Sequence, residues 1–256
     1  MFGSMIKSIA QAFNFLTILP ILPGRAREPS PRELAATFGA FPVVGAVLGL
    51  LLTAAGRLLS PFVPSTILAV LLITALAVLT RFLHLDGLTD TADAIWGGYT
   101  IERRLEIMKD SRTGSFGAAA LCLVLLLKCT ALFSLLETEN WSILFMAPVF
   151  SRTAMVVAAY GSPYARREGG LGESFLTRMT AADLLRASCI AAGLSFPIST
   201  PAAAVLMVTA AVVAWTVKRL SLRMLGGITG DVLGAVNEIT EALLLVAGAI
   251  LVHNHP

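Results

Sequence analysis

The chain is predicted to be all-α: a polytopic transmembrane helical bundle of about seven spans, one domain over residues 1–256, with an amphipathic helix at its amino terminus. Three observations lead there. Apolar residues make up 56% of the 256 positions and charged residues only 14%, at a mean hydropathy of +0.81; that leaves too little polar side chain to clothe a water-soluble core. Several windows approach the ~20 apolar residues that cross a hydrocarbon layer about 30 Å thick. Lysine and arginine gather in alternate connecting segments, as basic flanks do when they stay on the cytoplasmic side of a membrane.

From the amino terminus, Lys7, Gln11 and Asn14 line one side of a helix whose other side is Ile6, Ile9, Phe13, Leu16 and Leu19. Lys7 ahead of an apolar run has the look of a secretion signal, but no small-residue cleavage site follows. The segment is therefore expected to be retained, lying at the inner membrane surface. Pro20, Pro23, Pro29 and Pro31 make the next link extended and turn-rich. Spans are expected near residues 36–56, 65–83, 115–136, 141–160, 186–200, 201–217 and 233–252, the two before residue 218 being short.

The basic residues sort with these spans. Lys7, Arg25, Arg27 and Arg32 precede the first; Arg81, Arg103, Arg104, Lys109 and Arg112 share one loop; Arg166, Arg167, Arg178 and Arg186 share another; Lys218, Arg219 and Arg223 share a third. The opposite loops carry Arg57, then Glu137 and Glu139, then the uncharged Pro197-Ile198-Ser199-Thr200-Pro201. This alternation puts the amino terminus inside and the carboxyl terminus outside. A net charge of +3, spread over inner loops without a dense basic tract, argues against a nucleic-acid partner. Cys122, Cys129 and Cys189 lack CxxC spacing and are expected to be inert thiols buried in spans.

Chemistry concentrates in Asp86-Gly87-Leu88-Thr89-Asp90-Thr91-Ala92-Asp93, a DGxxDxxD pattern. On a helix of ~100° per residue its three aspartates fall within an arc of roughly 60°. Carboxylates stacked this way repel one another, so the stripe marks a divalent metal site or a proton relay; a solvated acidic face is the competing reading. A second acidic segment follows Gly226-Gly227-Ile228-Thr229-Gly230-Asp231. If a helix starts there, Asp231, Glu238 and Glu241 share an arc of roughly 80° with Gly234 among them. Both segments fall on the same expected side of the membrane.

Two facing acid stripes could hold one or two hard cations, and oxygen ligands without a histidine or cysteine cluster point to Mg²⁺ or Mn²⁺. Such ions commonly bind phosphate, and matching cations stand nearby: Arg103, Arg104, Lys109, Arg112 and, inside a span, Arg152. A charge at the depth of Arg152 costs several kcal/mol unless paired. Lys128 reads equally as a buried ion pair or a substrate contact. His84 points nearly opposite the acid stripe, and Asp110 suits an extra ligand or an arginine partner.

The run His84-Leu85-Asp86-Gly87-Leu88-Thr89-Asp90-Thr91-Ala92-Asp93, with Glu102-Arg103-Arg104-Leu105-Glu106-Ile107-Met108-Lys109-Asp110-Ser111-Arg112-Thr113-Gly114-Ser115-Phe116-Gly117, resembles the signature of the cobalamin synthase (adenosylcobinamide-GDP ribazoletransferase) family. The likeness extends through Phe15-Leu16-Thr17-Ile18-Leu19-Pro20, Phe41-Pro42-Val43-Val44-Gly45, Tyr164-Ala165-Arg166-Arg167-Glu168-Gly169-Gly170-Leu171-Gly172 and Gly227-Ile228-Thr229-Gly230-Asp231, nearly the whole chain. The resemblance implies a Mg²⁺-dependent inner-membrane enzyme of late vitamin B12 assembly, its site facing the cytoplasm. Such an enzyme joins α-ribazole, or its 5′-phosphate, to the cobinamide phosphate of adenosylcobinamide-GDP and releases GMP.

On that reading Asp86, Asp90 and Asp93 form the catalytic stripe and, with Asp231 and Glu238, hold Mg²⁺ on the diphosphate. The 5′-hydroxyl of α-ribazole is expected to attack, with Asp93 the candidate base. Arg103, Arg104, Lys109 and Arg112 would cradle phosphate, and Arg152 or Arg166 would close the site. A homo-oligomer, or association with other corrinoid-assembly enzymes, is a further expectation. Two other readings stand beside it. A CDP-alcohol phosphotransferase needs Ala-Arg where this chain has Thr89-Asp90, and an ion-coupled transporter commonly shows a repeated half that is not found here.

Overall fold

A computed structural model describes residues 2–19, 30–166, 173 and 176–254. Helix α1 (Phe2–Leu16) leads to α2 (Pro31–Ala36), which runs through a 3₁₀ turn (Thr37–Ala40) into α3 (Phe41–Leu59). Ser30 and Glu33 start α2 with a reciprocal capping box, each side chain taking the other's backbone N–H. Next come α4 (Ser65–Leu79), α5 (Leu83–Gly97), α6 (Ile101–Ile107), α7 (Ser115–Glu137) and α8 (Trp141–Ala159). The chain closes with α9 (Ala181–Ser195), α10 (Thr200–Leu225) and α11 (Gly230–Asn254). Among the described residues the only β pairing is an isolated parallel bridge between Tyr164 and Ile228.

Among the described residues five helical stretches are long and apolar enough to cross a membrane: Pro31–Leu59, Ser115–Glu137, Trp141–Ala159, Thr200–Leu225 and Gly230–His253. The pair α4 and α5, bent by 90° at its break, makes a sixth if it is one span. The expectation of about seven spans is thus approximate: five or six stretches reach full spanning length, and α4 and α9 are shorter. The span expected at 186–200 corresponds to α9, which has only 15 residues, about 22 Å of helix, and carries Asp183 and Arg186 in its first turns. Pro197 and Pro201 separate it from α10, which extends to 26 residues instead of the short span expected at 201–217.

The bend between α4 and α5 has a backbone cause. Arg81 and Phe82 both take left-handed φ angles, 54° and 57°, a conformation that costs a non-glycine residue about 1–3 kcal/mol. Surrounding contacts hold it. Arg81 donates from Nη2 to the carbonyls of Asn14 and Phe15 at 3.3 and 3.0 Å, satisfying orphan acceptors at the end of α1, and Ile18 N–H reaches Leu79 O at 2.8 Å. Helix α1 is thus docked on protein: Ala12, Phe13 and Leu16 are buried, whereas Ile6 and Phe15 stay exposed.

Helix α8 is the central post, with 83% of its apolar window buried, against 28% for both α7 and α10, which expose leucines and valines outward. Gly45 and Gly49 let α3 press onto the backbone of Phe145 and Pro148 in α8. The cysteines depart from expectation: Cys122 and Cys189 are exposed on outer helix faces, Cys129 is half-buried, and all three are free. An apolar helix surface that meets lipid needs no protein cover, so burial in a span and burial in protein part company here.

Four charges meet inside this bundle. Lys128 of α7 lies 2.9 Å from Glu238 Oε2 and 2.6 Å from Glu241 Oε1, while Arg152 of α8 pairs with Glu241 Oε2 and donates to Ser151 Oγ at 3.0 Å. Asn237 adds a 3.1 Å hydrogen bond to Glu238 Oε1. None of the four charged side chains is more than 6% exposed, and their charges sum to zero. Lys128 and Arg152 are therefore a buried ion-pair network. His84 of α5, fully buried and with no hydrogen bond from a described residue on either ring nitrogen, lies within electrostatic reach of Arg152, Glu241 and Lys128.

Removing one partner strands a charge. Arg152→Met is expected to destabilise the protein by roughly 3–5 kcal/mol in detergent unfolding, and the double change Arg152→Met/Glu241→Gln, which leaves Lys128 balanced by Glu238, by clearly less.

Candidate active site

The two acidic segments meet where α5 crosses the first turns of α11. Gly87 makes the approach possible: a Cβ there would sit 2.6 Å from the carbonyl oxygen of Asp231 and 2.9 Å from its Cα. Gly234 does the same from the other side, 3.1 Å from the His84 carbonyl. The glycine of the DGxxDxxD pattern and the glycine after Asp231 are thus one helix–helix contact. It brings Asp86, Asp90 and Asp231 to a common face, with Asp90 in electrostatic reach of Asp86, Asp231, Asp93 and Arg166. Along the stripe Asp86 is exposed, Asp90 half-buried and Asp93 buried.

Arg166 is delivered by the isolated bridge. Ile228 N–H donates to Pro163 O at 2.9 Å and Ala165 N–H to Ile228 O at 3.1 Å, which ties the segment after α8 to the loop before α11. Arg166 then donates from Nη2 to Asp231 Oδ2 at 2.8 Å. Thr229 Oγ1 donates to the same oxygen at 3.3 Å and accepts from Val232 N–H at 3.2 Å, so it caps α11 while orienting Asp231.

Asp93, one turn further along the same face of α5, meets a different neighbour. Its Oδ2 accepts the N–H of Gly114 at 2.7 Å and its Oδ1 that of Gly117 at 2.8 Å, a carboxylate seated on the positive end of α7. A Cβ on Gly114 would lie 2.5 Å from Asp93 Oδ1, which explains the glycine there. The run Gly114-Ser115-Phe116-Gly117 is legible as a helix start, but not which side chain caps it.

Beside Asp93, a cavity of about 470 Å³ opens between α6 and α7, walled by Arg103, Glu106, Asp110, Arg112 and Phe116. Arg103 is paired with Glu106 at 3.0 Å and Arg112 with Asp110 at 2.7 Å. Hydrogen bonds from the Arg112 guanidinium and backbone hold the Asp110 carboxyl well below its ordinary range, at about 2. A second hollow of about 230 Å³ is shared by Leu105, Lys109 and Arg166.

The expected site residues therefore divide. Asp86, Asp90, Asp231 and Arg166 come together; Asp93 adjoins them but serves the start of α7. Glu238 and Arg152 lie in the buried charge network, and Arg104 donates to Met224 O at 3.0 Å, linking α6 to α10. Thr229 and Phe116 belong to the site's surroundings and were not singled out in the sequence, since neither residue type advertises itself.

Among the described residues no three carboxylate, imidazole or thiolate side chains converge on one point as a preformed metal cage. Asp86 and Asp90 accept no side-chain hydrogen bond from a described residue, and with Asp231 they form an all-oxygen donor set on one face. That chemistry fits a hard divalent cation, the side chains closing on it as it binds.

A sequence profile of the family described as Cobalamin-5-phosphate synthase matches residues 8–249. An adenosylcobinamide-GDP ribazoletransferase of Syntrophobacter fumaroxidans is 48% identical over 247 residues, covering 96% of this chain and 100% of the relative. Proteins of the same name from Pseudomonas syringae pv. syringae and Chlorobium chlorochromatii are 43% and 38% identical, over 94% and 98% of this chain and 98% and 99% of their own lengths. No solved structure matches the chain.

Two substitutions test the geometry. Gly87→Ala forces a methyl into the α11 backbone and is expected to cost about 1–3 kcal/mol. Asp93→Ala leaves two N–H groups of α7 without their acceptor and is expected to cost about 1–2 kcal/mol. Thermal unfolding in detergent, followed by circular dichroism, reads both.

Proposed function

The chain belongs to the cobalamin-5-phosphate synthase family, transferases of late cobalamin biosynthesis, and from that premise we propose the reaction and the residues that carry it. The enzyme transfers the cobinamide-phosphate group of adenosylcobinamide-GDP to α-ribazole or its 5′-phosphate, giving adenosylcobalamin or its 5′-phosphate and GMP. The observation that carries this reading is the α5–α11 crossing, where the aspartates of two distant motifs and Arg166 share one face.

Asp86, Asp90 and Asp231 would hold Mg²⁺ there. Bound to them, Mg²⁺ supplies positive charge that neutralises the diphosphate and the charge growing on the leaving phosphate. Arg166, held in place by the Tyr164–Ile228 bridge, gives Nη2 to Asp231 while its Nε has no described partner, so it keeps donors for a phosphate oxygen once Mg²⁺ occupies the carboxylates. The nucleophile follows from the two acceptors. Because the 5′ oxygen is esterified in one of them, the attacking group is a ring hydroxyl that both retain, which replaces the 5′-hydroxyl expected above. Its oxygen bonds to the cobinamide-side phosphorus, the bond to the bridging oxygen breaks, and GMP leaves with that oxygen.

Asp90, next to Asp86 and free of hydrogen bonds from described side chains, takes the hydroxyl proton. Asp93 is the positioning residue that joins this stripe to α7, and Glu238 and Arg152 act through the bundle and do not touch substrate. The basic segments bearing Arg81, Arg104, Arg166 and Arg223 lie at the same end of the helices as the acid face, which supports a site at the cytoplasmic mouth of an inner-membrane enzyme.

Purified protein in liposomes, given adenosylcobinamide-GDP and α-ribazole, is expected to release GMP with Mg²⁺ and not with chelator. Asp86→Asn and Asp90→Asn should each lower turnover by about 10²-fold or more while the protein stays folded. Turnover at the wild-type rate in either variant would remove that residue from the site.

A further inference from the structure

We propose that the cavity between α6 and α7 receives the guanine base of the GDP-activated substrate, with Glu106 and Asp110 reading its hydrogen-bond donors and Phe116 packing on its flat face. This rests on the transferase reading above. The position is right: Asp93 forms part of the cavity wall, and Asp90 precedes it by one turn on the same helix face, so the cavity abuts the proposed diphosphate site. The size is right too, since about 470 Å³ lies within the roughly 300–1,000 Å³ of small-molecule sites.

Charge decides which part of the nucleotide belongs there. Arg103 and Arg112, expected from the sequence to cradle phosphate, are each already paired, with Glu106 and Asp110. Those pairs cancel. Asp93 adds a negative charge that the start of α7 answers. No surplus positive charge is left for a phosphate in this cavity, whereas a neutral heterocycle with donors and acceptors on adjacent edges suits it. Guanine offers N1–H and N2–H₂ as a donor pair for a carboxylate, and O6 with N7 as an acceptor pair for an arginine fork. Adenine reverses the pattern at its N6–N1 edge and would leave a carboxylate facing a ring nitrogen lone pair. Phe116, on the first turn of α7 and 48% exposed, supplies an apolar face beside these polar groups.

The test is equilibrium binding of GMP, IMP and AMP to the purified full-length protein in detergent with Mg²⁺, without turnover. Wild type should bind GMP about tenfold more tightly than IMP, which lacks the 2-amino group, and more tightly again than AMP. The double change Glu106→Gln/Asp110→Asn should bring GMP down to the level of IMP, while Phe116→Ala should weaken both alike. All of these side chains are exposed, and unchanged melting temperatures will verify folding. GMP binding that is unaltered in both variants, or equal binding of GMP and AMP by wild type, overturns the guanine pocket and leaves the transferase reading standing. Failure of wild type to bind GMP at all also overturns the guanine pocket, and only the absence of Mg²⁺-dependent GMP release from adenosylcobinamide-GDP would overturn the transferase reading.

Discussion

The fold hangs on one constraint: Lys128, Arg152, Glu238 and Glu241 are buried in an apolar bundle and must all be paired at once. Each would cost several kcal/mol alone at that depth. Their pairing admits one relative register of α7, α8 and α11, because sliding any helix by a turn, about 5.4 Å, would strand a charge. Close apolar contacts, such as Gly248 of α11 against Ile143 of α8, reinforce the same register. The network thus supplies specificity of arrangement, and α11 carries that arrangement outward to the site.

What α11 delivers is position. Its first turns bear Asp231 against Gly87, so the acid stripe of α5 is seated on a helix whose register the charges below have already set. The 90° turn at Arg81 and Phe82 swings α5 across that helix end. Its left-handed residues persist because Arg81 also closes the end of α1. On the far side, the bridge between Tyr164 and Ile228 brings Arg166 onto Asp231 without help from any helix. Rigid elements hold the carboxylates, and short backbone clamps hold the Arg166 guanidinium that answers them.

The aspartate stripe was legible because helical periodicity alone puts Asp86, Asp90 and Asp93 on one face. Sharing a face is not sharing a site, however. Seven residues separate Asp86 from Asp93, and again Asp231 from Glu238, about 10 Å along a helix axis. The far member of each pair therefore meets different neighbours: Asp93 reaches the start of α7, and Glu238 reaches Lys128. Arg152 advertised a partner by its burial but could not name Glu241. Arg103 and Arg112 stand out as cations in the sequence, but only the structure shows that each is paired with a carboxylate three or two residues away.

By itself the sequence determined that this is a helical membrane protein, where its basic segments lie along the chain, and which motifs gather its carboxylates, since hydropathy, charge alternation and residue spacing are local properties of the chain. Tertiary structure decided the number of full-length spans, the break that turns α5, the pairing inside the buried charge network, and which carboxylates share a face with Arg166. Those depend on contacts between residues far apart in sequence, such as Gly87 with Asp231 and Tyr164 with Ile228. Periodicity along one helix cannot specify the angle or depth at which another crosses it.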